Sequence, residues 1–284
     1  MEILENGVYE GERALFHKKD LSIRYCTFQN GESPLKEGEN FYIKDTSFKW
    51  KYPLWYCKNV KVEDSYFLET ARSGIWYTEN IDIKNSVLEA PKLFRRCKNV
   101  SLENVAFYNA EETFLNTSGI TLKNVRARGK YFASGSENII AENLEVVGDY
   151  VFDGSRNITV KNSRFISKDA FWNTENVVVE NSYIVGEYLA WNAKNITFIN
   201  CTIESLQGLC YVDGLKMVNC RLLNTTLSFE YSKSIDAEIT TVIDSVKNPS
   251  SGVIKAKGIK EVILEKDKVD INATTIKTDL PNKN

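Results

Sequence analysis

Histidine, metal-binding motifs and long apolar segments are nearly absent from this sequence of 284 residues. It has one histidine and six cysteines without a C-x-x-C pair, which argues against a zinc site. No segment approaches the roughly twenty consecutive apolar residues of a membrane-spanning helix. The acidic N-terminus also lacks the apolar core of a signal peptide. We therefore expect a cytoplasmic protein without a membrane partner, and we predict no metal and no cofactor.

An excess of positive charge is missing as well. The chain has 36 Lys and Arg against 38 Asp and Glu, a net charge of −2. Nucleic-acid-binding domains present basic surfaces, so we expect no nucleic-acid partner. Hydrophobic residues make up 43% of the chain, enough for a substantial core. The even number of cysteines leaves disulfides open, but small buried residues in a reducing compartment fit the repeat described next better.

A repeat of 19 to 21 residues runs through most of the chain. Each repeat has a marker residue, usually Asn, immediately before an aliphatic position. The markers are Asp20, Asn40, Asn59, Asn80, Asn99, Gly119, Asn138, Asn157, Asn176, Asn195, Gly214 and Ser234. Regular self-similarity at this length predicts a solenoid, in which each coil packs against its neighbours.

The pattern inside one repeat predicts the type of solenoid. Two apolar residues spaced by two, such as Ile158 and Val160, follow the marker and indicate a strand with one inward face. The marker and a second polar column, which includes Asn162, are of types that tolerate the left-handed backbone of a corner. A further strand precedes the next marker, with Phe171 inward. We predict an all-β, right-handed parallel β-helix with three strands per coil and about 12 coils, since the strict hexapeptide rhythm of left-handed forms is missing.

We predict a single domain over residues 1–284. Residues 1–19 form an N-terminal partial coil and cap, 20–234 the regular coils, and 235–284 irregular coils and a C-terminal cap. One column, four residues after the marker, alternates in charge and is assigned to the solvated surface. Its members are Lys44, Glu63, Lys84, Glu103, Lys123, Glu142, Lys161 and Glu180.

Four of the five tryptophans share one outward position, four residues before the marker. Flat aromatic rings in a file along the solenoid axis suit a polysaccharide, and large exposed apolar rings mark an interaction surface. Arg95 and Asp153 lie between the two tryptophan pairs in this column and are the predicted catalytic residues. The predicted substrate-binding residues are Trp55, Trp76, Trp172, Trp191, Tyr56, Tyr77, Lys92, Arg96, Glu112, Lys168, Asp169, Asn173 and Glu187.

Two interpretations of this aromatic face stay open at the level of sequence. The first is carbohydrate binding, with or without catalysis; an enzyme here would be a polysaccharide lyase or a glycoside hydrolase. The second is a non-enzymatic scaffold, because stacked aromatic rings also stabilise coils without a ligand or form an interface with a partner or with a second copy in a homo-oligomer.

The phrases GESPLKE, KYPLWY, APKLFR, SKDAFWN and QGLCY resemble a bacterial family that is catalogued as a domain of unknown function. The coil pattern is similar to the pectate-lyase-like superfamily of right-handed parallel β-helices. This resemblance implies the fold and no particular activity. The Asp-Asp pair and Gly-His-Gly motif of polygalacturonase-like enzymes are absent from the sequence.

Overall fold

The computed structural model describes residues 1–280, and the chain divides into two compact units, one over Met1–Glu145 and one that starts at Val146. Each unit is a parallel β-solenoid, which confirms the predicted fold class. The chain winds through about 15 turns in all. This exceeds the predicted 12 or so because strands also form in the terminal segments outside the regular markers.

The first unit contains the strands with the lower numbers and, in the described residues, one single-turn 3₁₀ helix at Glu69–Ala71. Its strands are β1 (Glu2–Glu5), β2 (Val8–Tyr9), β3 (Lys19–Arg24), β4 (Thr27–Phe28), β5 (Glu39–Lys44), β6 (Ser47–Phe48), β7 (Lys58–Glu63), β8 (Tyr66–Phe67), β9 (Glu79–Lys84), β10 (Val87–Leu88), β11 (Lys98–Phe107), β12 (Ser118–Arg128) and most of β13 (Glu137–Val147). Successive coils pair in parallel, with Val60 of β7 opposite Ile81 of β9.

The second unit continues the same type of coil and ends in longer strands. They are β14 (Arg156–Lys161), β15 (Arg164–Ile166), β16 (Glu175–Glu180), β17 (Tyr183–Glu187), β18 (Lys194–Ile199), β19 (Thr202–Leu206), β20 (Asp213–Leu223), β21 (Lys233–Lys247), β22 (Gly252–Ile263) and β23 (Thr274–Thr278). The pairing of β21 with β22 shifts register between Ile239 and Val242, in the segment predicted to be irregular. Residues 281–284 of the predicted cap lie outside the described residues.

The third side of the coils, predicted as a strand, consists mostly of turns and bends, with an isolated parallel bridge between Trp76 and Arg95. In the coil of Trp55, the φ angles of Tyr52 and Tyr56 are 61° and 57°, which are left-handed values, and neither residue belongs to a strand. This side still bonds to the next coil, since the Leu54 N–H donates to the Gly74 carbonyl at 2.9 Å. The third side therefore differs in conformation from the predicted strand, although Leu54 is buried and the adjacent Trp55 is partly exposed, as predicted.

The interior consists of stacked apolar side chains. In the first unit Phe48 stacks between Phe28 and Phe67, at ring-centroid distances of 5.1 and 4.6 Å. These distances follow from the strand spacing of about 4.8 Å, because equivalent residues on successive coils lie one strand apart. Each of these rings is almost completely buried. The core is thus a set of aromatic and aliphatic columns, as the repeat predicts.

The corners are stabilised by amide ladders. Asn80 has a φ of 57°, and its side-chain N–H donates to the side-chain oxygen of Asn59 at 3.0 Å. In the second unit the Asn195 amide donates to Asn176 at 3.2 Å in the same way. Asn tolerates the left-handed region and bonds locally, so one residue type meets both demands of the corner.

The alternating charge column also forms as predicted. Glu103 accepts from Lys84 and Lys123 on the two adjacent coils, at 3.4 and 2.8 Å. In the second unit Lys161 pairs with Glu180 at 3.1 Å. These side chains are solvated and form ion pairs with one another, so we assign them to the surface of the solenoid and not to a ligand-binding site.

All six cysteines lie within residues 1–280 and are free and buried. Burial raises the pKa of Cys57, Cys97, Cys201 and Cys210 to about 12. A thiol with such a pKa stays protonated near neutral pH and is a poor nucleophile. The cysteines are therefore packing residues, as the repeat suggested. Across the same 280 residues, no helix has the length and apolar character needed to span a bilayer.

Candidate functional site

The first unit carries two parallel aromatic stacks on the turn side of its coils. The Trp55 and Trp76 rings lie 5.1 Å apart with an interplanar angle of 9°, and Tyr56 and Tyr77 lie 4.7 Å apart at 8°. The Trp76 indole N–H donates to the Lys92 carbonyl at 2.8 Å, and the Trp55 indole donates to the Ser73 carbonyl. Both tryptophans are half-buried. Each indole is thus fixed to the following coil and shares a ring face with its neighbour.

Arg95 closes the tryptophan stack at one end. Its guanidinium carbon lies 4.5 Å from the centroid of Trp76, and one terminal nitrogen contacts the Glu112 carboxylate at 2.8 Å. Lys92 reaches the other oxygen of Glu112 at 3.4 Å, whereas Arg96 is exposed. The structure therefore brings Trp76, Arg95 and Glu112 together, and the Arg95 guanidinium contacts both the Trp76 ring and the Glu112 carboxylate.

The tryptophans of the second unit are arranged differently. Trp172 and Trp191 have centroids 6.0 Å apart and an interplanar angle of 67°, so they contact edge to face. Trp172 stacks instead on Tyr150, at 6.0 Å and 22°. Trp191 is also tilted against Tyr188 and Tyr211, by 71° and 59°. Within residues 1–280 no ring stacks in parallel on Trp191.

A row of polar side chains runs beside these tryptophans. The Asn192 amide donates to the Asn173 side-chain oxygen at 2.8 Å, and the Asn173 amide donates to Asp153 at 3.3 Å. Partial burial raises the pKa of the Asp153 carboxyl, and the hydrogen bond from Asn173 opposes that rise. Since Asn173 and Asn192 directly follow Trp172 and Trp191, the amide row and the aromatic row are adjacent along two coils.

Asp169 is the most unusual residue of this surface. It is only 1% exposed, and neither carboxylate oxygen has a hydrogen-bond partner among the described residues. Burial raises the pKa of this carboxyl, while Lys168 and the nearby Tyr150 hydroxyl oppose the shift. A buried carboxylate with so few donors is costly, because its lost hydration is not fully replaced. Such a group calls for an explanation.

Lys168 and Glu187 form the rim next to Asp169. The Lys168 ammonium lies 3.5 Å from a Glu187 oxygen and 5.1 Å from the centroid of Tyr188. Both side chains are about half exposed. The rim therefore presents a cation that already contacts an aromatic ring and a carboxylate.

The predicted site residues divide between the two units. The first unit holds Trp55, Tyr56, Trp76, Tyr77, Lys92, Arg95, Arg96 and Glu112; the second holds Asp153, Lys168, Asp169, Trp172, Asn173, Glu187 and Trp191. Arg95 and Asp153, the predicted catalytic residues, thus belong to different units, and their role stays a prediction. Tyr150 and Tyr188 also belong to this surface and were not among the predicted site residues. Their shared position, seven residues before the marker, was the available signal.

Several solved structures resemble this chain at low sequence identity. The A-module of mannuronan C-5 epimerase AlgE4 from Azotobacter vinelandii is 11% identical, over 99% of this chain and 90% of that chain, with a TM-score of 0.29. A tailspike protein mutant of E. coli bacteriophage HK620, in complex with pentasaccharide, is 10% identical over 92% and 70%, with a TM-score of 0.44. The Streptococcus pneumoniae surface protein and adhesin PfbA is 12% identical over 92% and 76%, with a TM-score of 0.37.

These likenesses carry no functional argument, since the TM-scores are below 0.5. No curated protein matches the chain. The sequence itself gives the assignment: residues 2–277 match the family described as "Protein of unknown function (DUF3737)", and the chain belongs to this family.

Proposed function

We propose that the second unit binds carbohydrate on the surface formed by Trp172, Trp191 and the amide row, which consists of Asn173 and Asn192 with the Asp153 carboxylate at its end. A sugar ring has an apolar face of C–H groups and a polar rim of hydroxyls. It therefore suits an aromatic ring beside hydrogen-bonding side chains, and a few well-placed polar groups then fix its orientation. This surface offers both features on adjacent coils.

The observation that carries the proposal is the tilt of Trp191. In the first unit, Trp55 and Trp76 lie parallel and cover each other, so those rings have structural partners. Trp191 has only tilted neighbours in the described residues. Its indole N–H donates to the Gln207 carbonyl at 2.6 Å, which holds the ring in place before a ligand arrives and lowers the entropic cost of binding.

A matched pair of variants tests this proposal. Trp191→Ala removes the ring of the proposed site, and Trp76→Ala removes an equivalent ring of the first unit. Binding of neutral oligosaccharides, first surveyed on a glycan array, is measured by isothermal titration calorimetry. We expect Trp191→Ala to weaken binding at least tenfold, from the loss of about 1.4 kcal/mol or more of stacking energy. Trp76→Ala keeps the affinity of the unmodified protein.

Trp191→Phe provides the control for folding, because it keeps a ring at this position and retains part of the affinity. Size-exclusion chromatography with light scattering gives the mass of each variant. Equal affinity of Trp191→Ala and the unmodified protein refutes the proposal. A change in mass alone, without a change in sugar binding, favours the other interpretation, in which this aromatic face contacts a second subunit or a partner.

A further inference from the structure

Asp169 is surrounded by aromatic positions of its own unit. The Tyr150 N–H donates to the Lys168 carbonyl, and the Asp169 N–H donates to the Glu187 carbonyl, both at 2.9 Å. These bonds place Asp169 one coil after Tyr150 and one coil before Tyr188, in the same column. Trp172 follows three residues later and stacks on Tyr150. A buried carboxylate with no donor in full hydrogen-bond geometry therefore lies between two tyrosines and beside a tryptophan.

This combination is the chemistry of a site for an organic cation. Aromatic faces attract ammonium groups, and a desolvated carboxylate attracts them more strongly than a solvated one. Lys168 shows that an ammonium fits here, since it lies 5.1 Å from the Tyr188 ring centroid and 3.5 Å from Glu187. The Asp169 oxygens nevertheless have no donor in full hydrogen-bond geometry among residues 1–280, and the Tyr150 hydroxyl is the side-chain donor that acts on this carboxyl.

The local charge balance points in the same direction. The ionisable side chains that act on Asp169 are Lys168, Asp149, Glu187 and the Tyr150 phenol. Together with Asp169 they comprise three carboxylates and one ammonium. Such a surface repels acidic sugars and attracts cationic ones.

We propose that the glycan bound by the second unit carries unacetylated amino sugars, and that one ammonium group binds at Asp169 between Tyr150 and Tyr188. This inference rests on the proposed carbohydrate site and adds the class of sugar. The ammonium supplies hydrogen-bond donors to Asp169 in addition to the Tyr150 hydroxyl that acts on this carboxyl. The remainder of the sugar chain contacts Trp172, Trp191 and the amide row.

Two oligosaccharides with the same backbone provide the test. β-1,4-linked glucosamine hexamers carry free amines, and the matching N-acetylglucosamine hexamers are neutral. At about pH 6 the amines are protonated and ordinary carboxylates are ionised. We expect the glucosamine hexamer to bind about tenfold more tightly in calorimetry, the size of one desolvated cation–carboxylate or cation–aromatic contact.

Variants of opposite effect make the test specific. Asp169→Asn, which keeps the shape of the side chain, abolishes the preference for the glucosamine hexamer. Lys168→Gln removes the competing ammonium of the protein and increases the preference. Asp213→Asn removes one negative charge from the same unit, where Asp213 pairs with Lys233, and leaves the preference unchanged. Thermal unfolding of each variant confirms that it is folded.

The outcomes separate this inference from the proposed function. If both hexamers bind equally and binding depends on Trp191, the amino-sugar inference is wrong and the carbohydrate site stands. A preference that persists in Asp169→Asn also overturns the inference, as does tighter binding of an oligogalacturonate. If neither hexamer and no neutral oligosaccharide binds, both the site and its ligand class are wrong.

Discussion

The stack of Trp55 and Trp76 is expected to stabilise the first unit through direct coupling between the two rings. Parallel rings with centroids 5.1 Å apart contribute about 0.5–1.5 kcal/mol beyond the burial of their surface. Trp76→Ala also removes a hydrogen bond to the Lys92 carbonyl and the contact with Arg95, each worth about 1 kcal/mol. We expect losses of about 2 kcal/mol for Trp55→Ala and about 3 kcal/mol for Trp76→Ala.

A double-mutant cycle measures the coupling. The double variant loses the ring–ring contact only once, so its loss of unfolding free energy is smaller than the sum of the single losses by about 1 kcal/mol. Urea denaturation followed by circular dichroism gives the four free energies, and the cycle is valid only if the dependence on urea concentration is the same in all four proteins. A coupling below about 0.3 kcal/mol, the usual error of additivity, refutes a stabilising stack.

Three further predictions concern the buried acid, the corners and the thiols. Asp169→Asn stabilises the protein at pH 7 by on the order of 1 kcal/mol, because it removes the cost of burying a charged carboxylate. Burial raises the folded-state pKa of Asp169, so this cost is absent below about pH 4 and develops as the pH rises from there through the folded-state pKa. An equal gain at pH 3 and pH 7 in thermal melts contradicts this reasoning. Asn80→Ala costs about 2 kcal/mol and Asn80→Gly about 1 kcal/mol in urea unfolding, since both lose the exposed amide bonds to Asn59 and from Asn99 but only Ala strains the left-handed corner. Equal losses argue against backbone strain. The buried cysteines react with Ellman's reagent at pH 8 only after denaturation, and rapid reaction of the native protein contradicts their burial.

The coils could be predicted from the repeat because each column of equivalent residues has one structural role, either packing inward or forming a corner. Val60 and Ile81 alternate with polar residues and therefore face inward, and the markers Asn59 and Asn80 are of a type that a left-handed corner requires. Both inferences use properties of the residue itself. They hold regardless of the neighbouring coils, which is why sequence alone was sufficient for the solenoid and its amide ladders.

The third side could not be predicted in the same way. Leu54 faces inward and the adjacent Trp55 is partly exposed, which is the pattern of a strand, but here the backbone is left-handed at Tyr52 and Tyr56 and forms turns. A period of two reports the direction of side chains and does not report the backbone angles. The sequence placed the outward column correctly and gave it the wrong local conformation.

The candidate site was predicted only as a set of columns. The sequence placed Trp172 and Trp191 at one position of successive coils, but their angle of 67° also involves Tyr150 and Tyr188 in the adjacent column. The burial of Asp169 likewise results from large neighbours on the preceding and following coils. Such features depend on packing between columns, whereas the repeat describes each column separately.

The row of Asp153, Asn173 and Asn192 has a consequence for the length of any ligand it binds. Every additional coil in this region extends the row by one residue and about 4.8 Å. Duplication of a nineteen-residue segment that ends at Asn195 would add one indole and one amide, and each coil would keep neighbours of the same kind. The span of this surface can therefore grow in fixed increments through changes in repeat number alone.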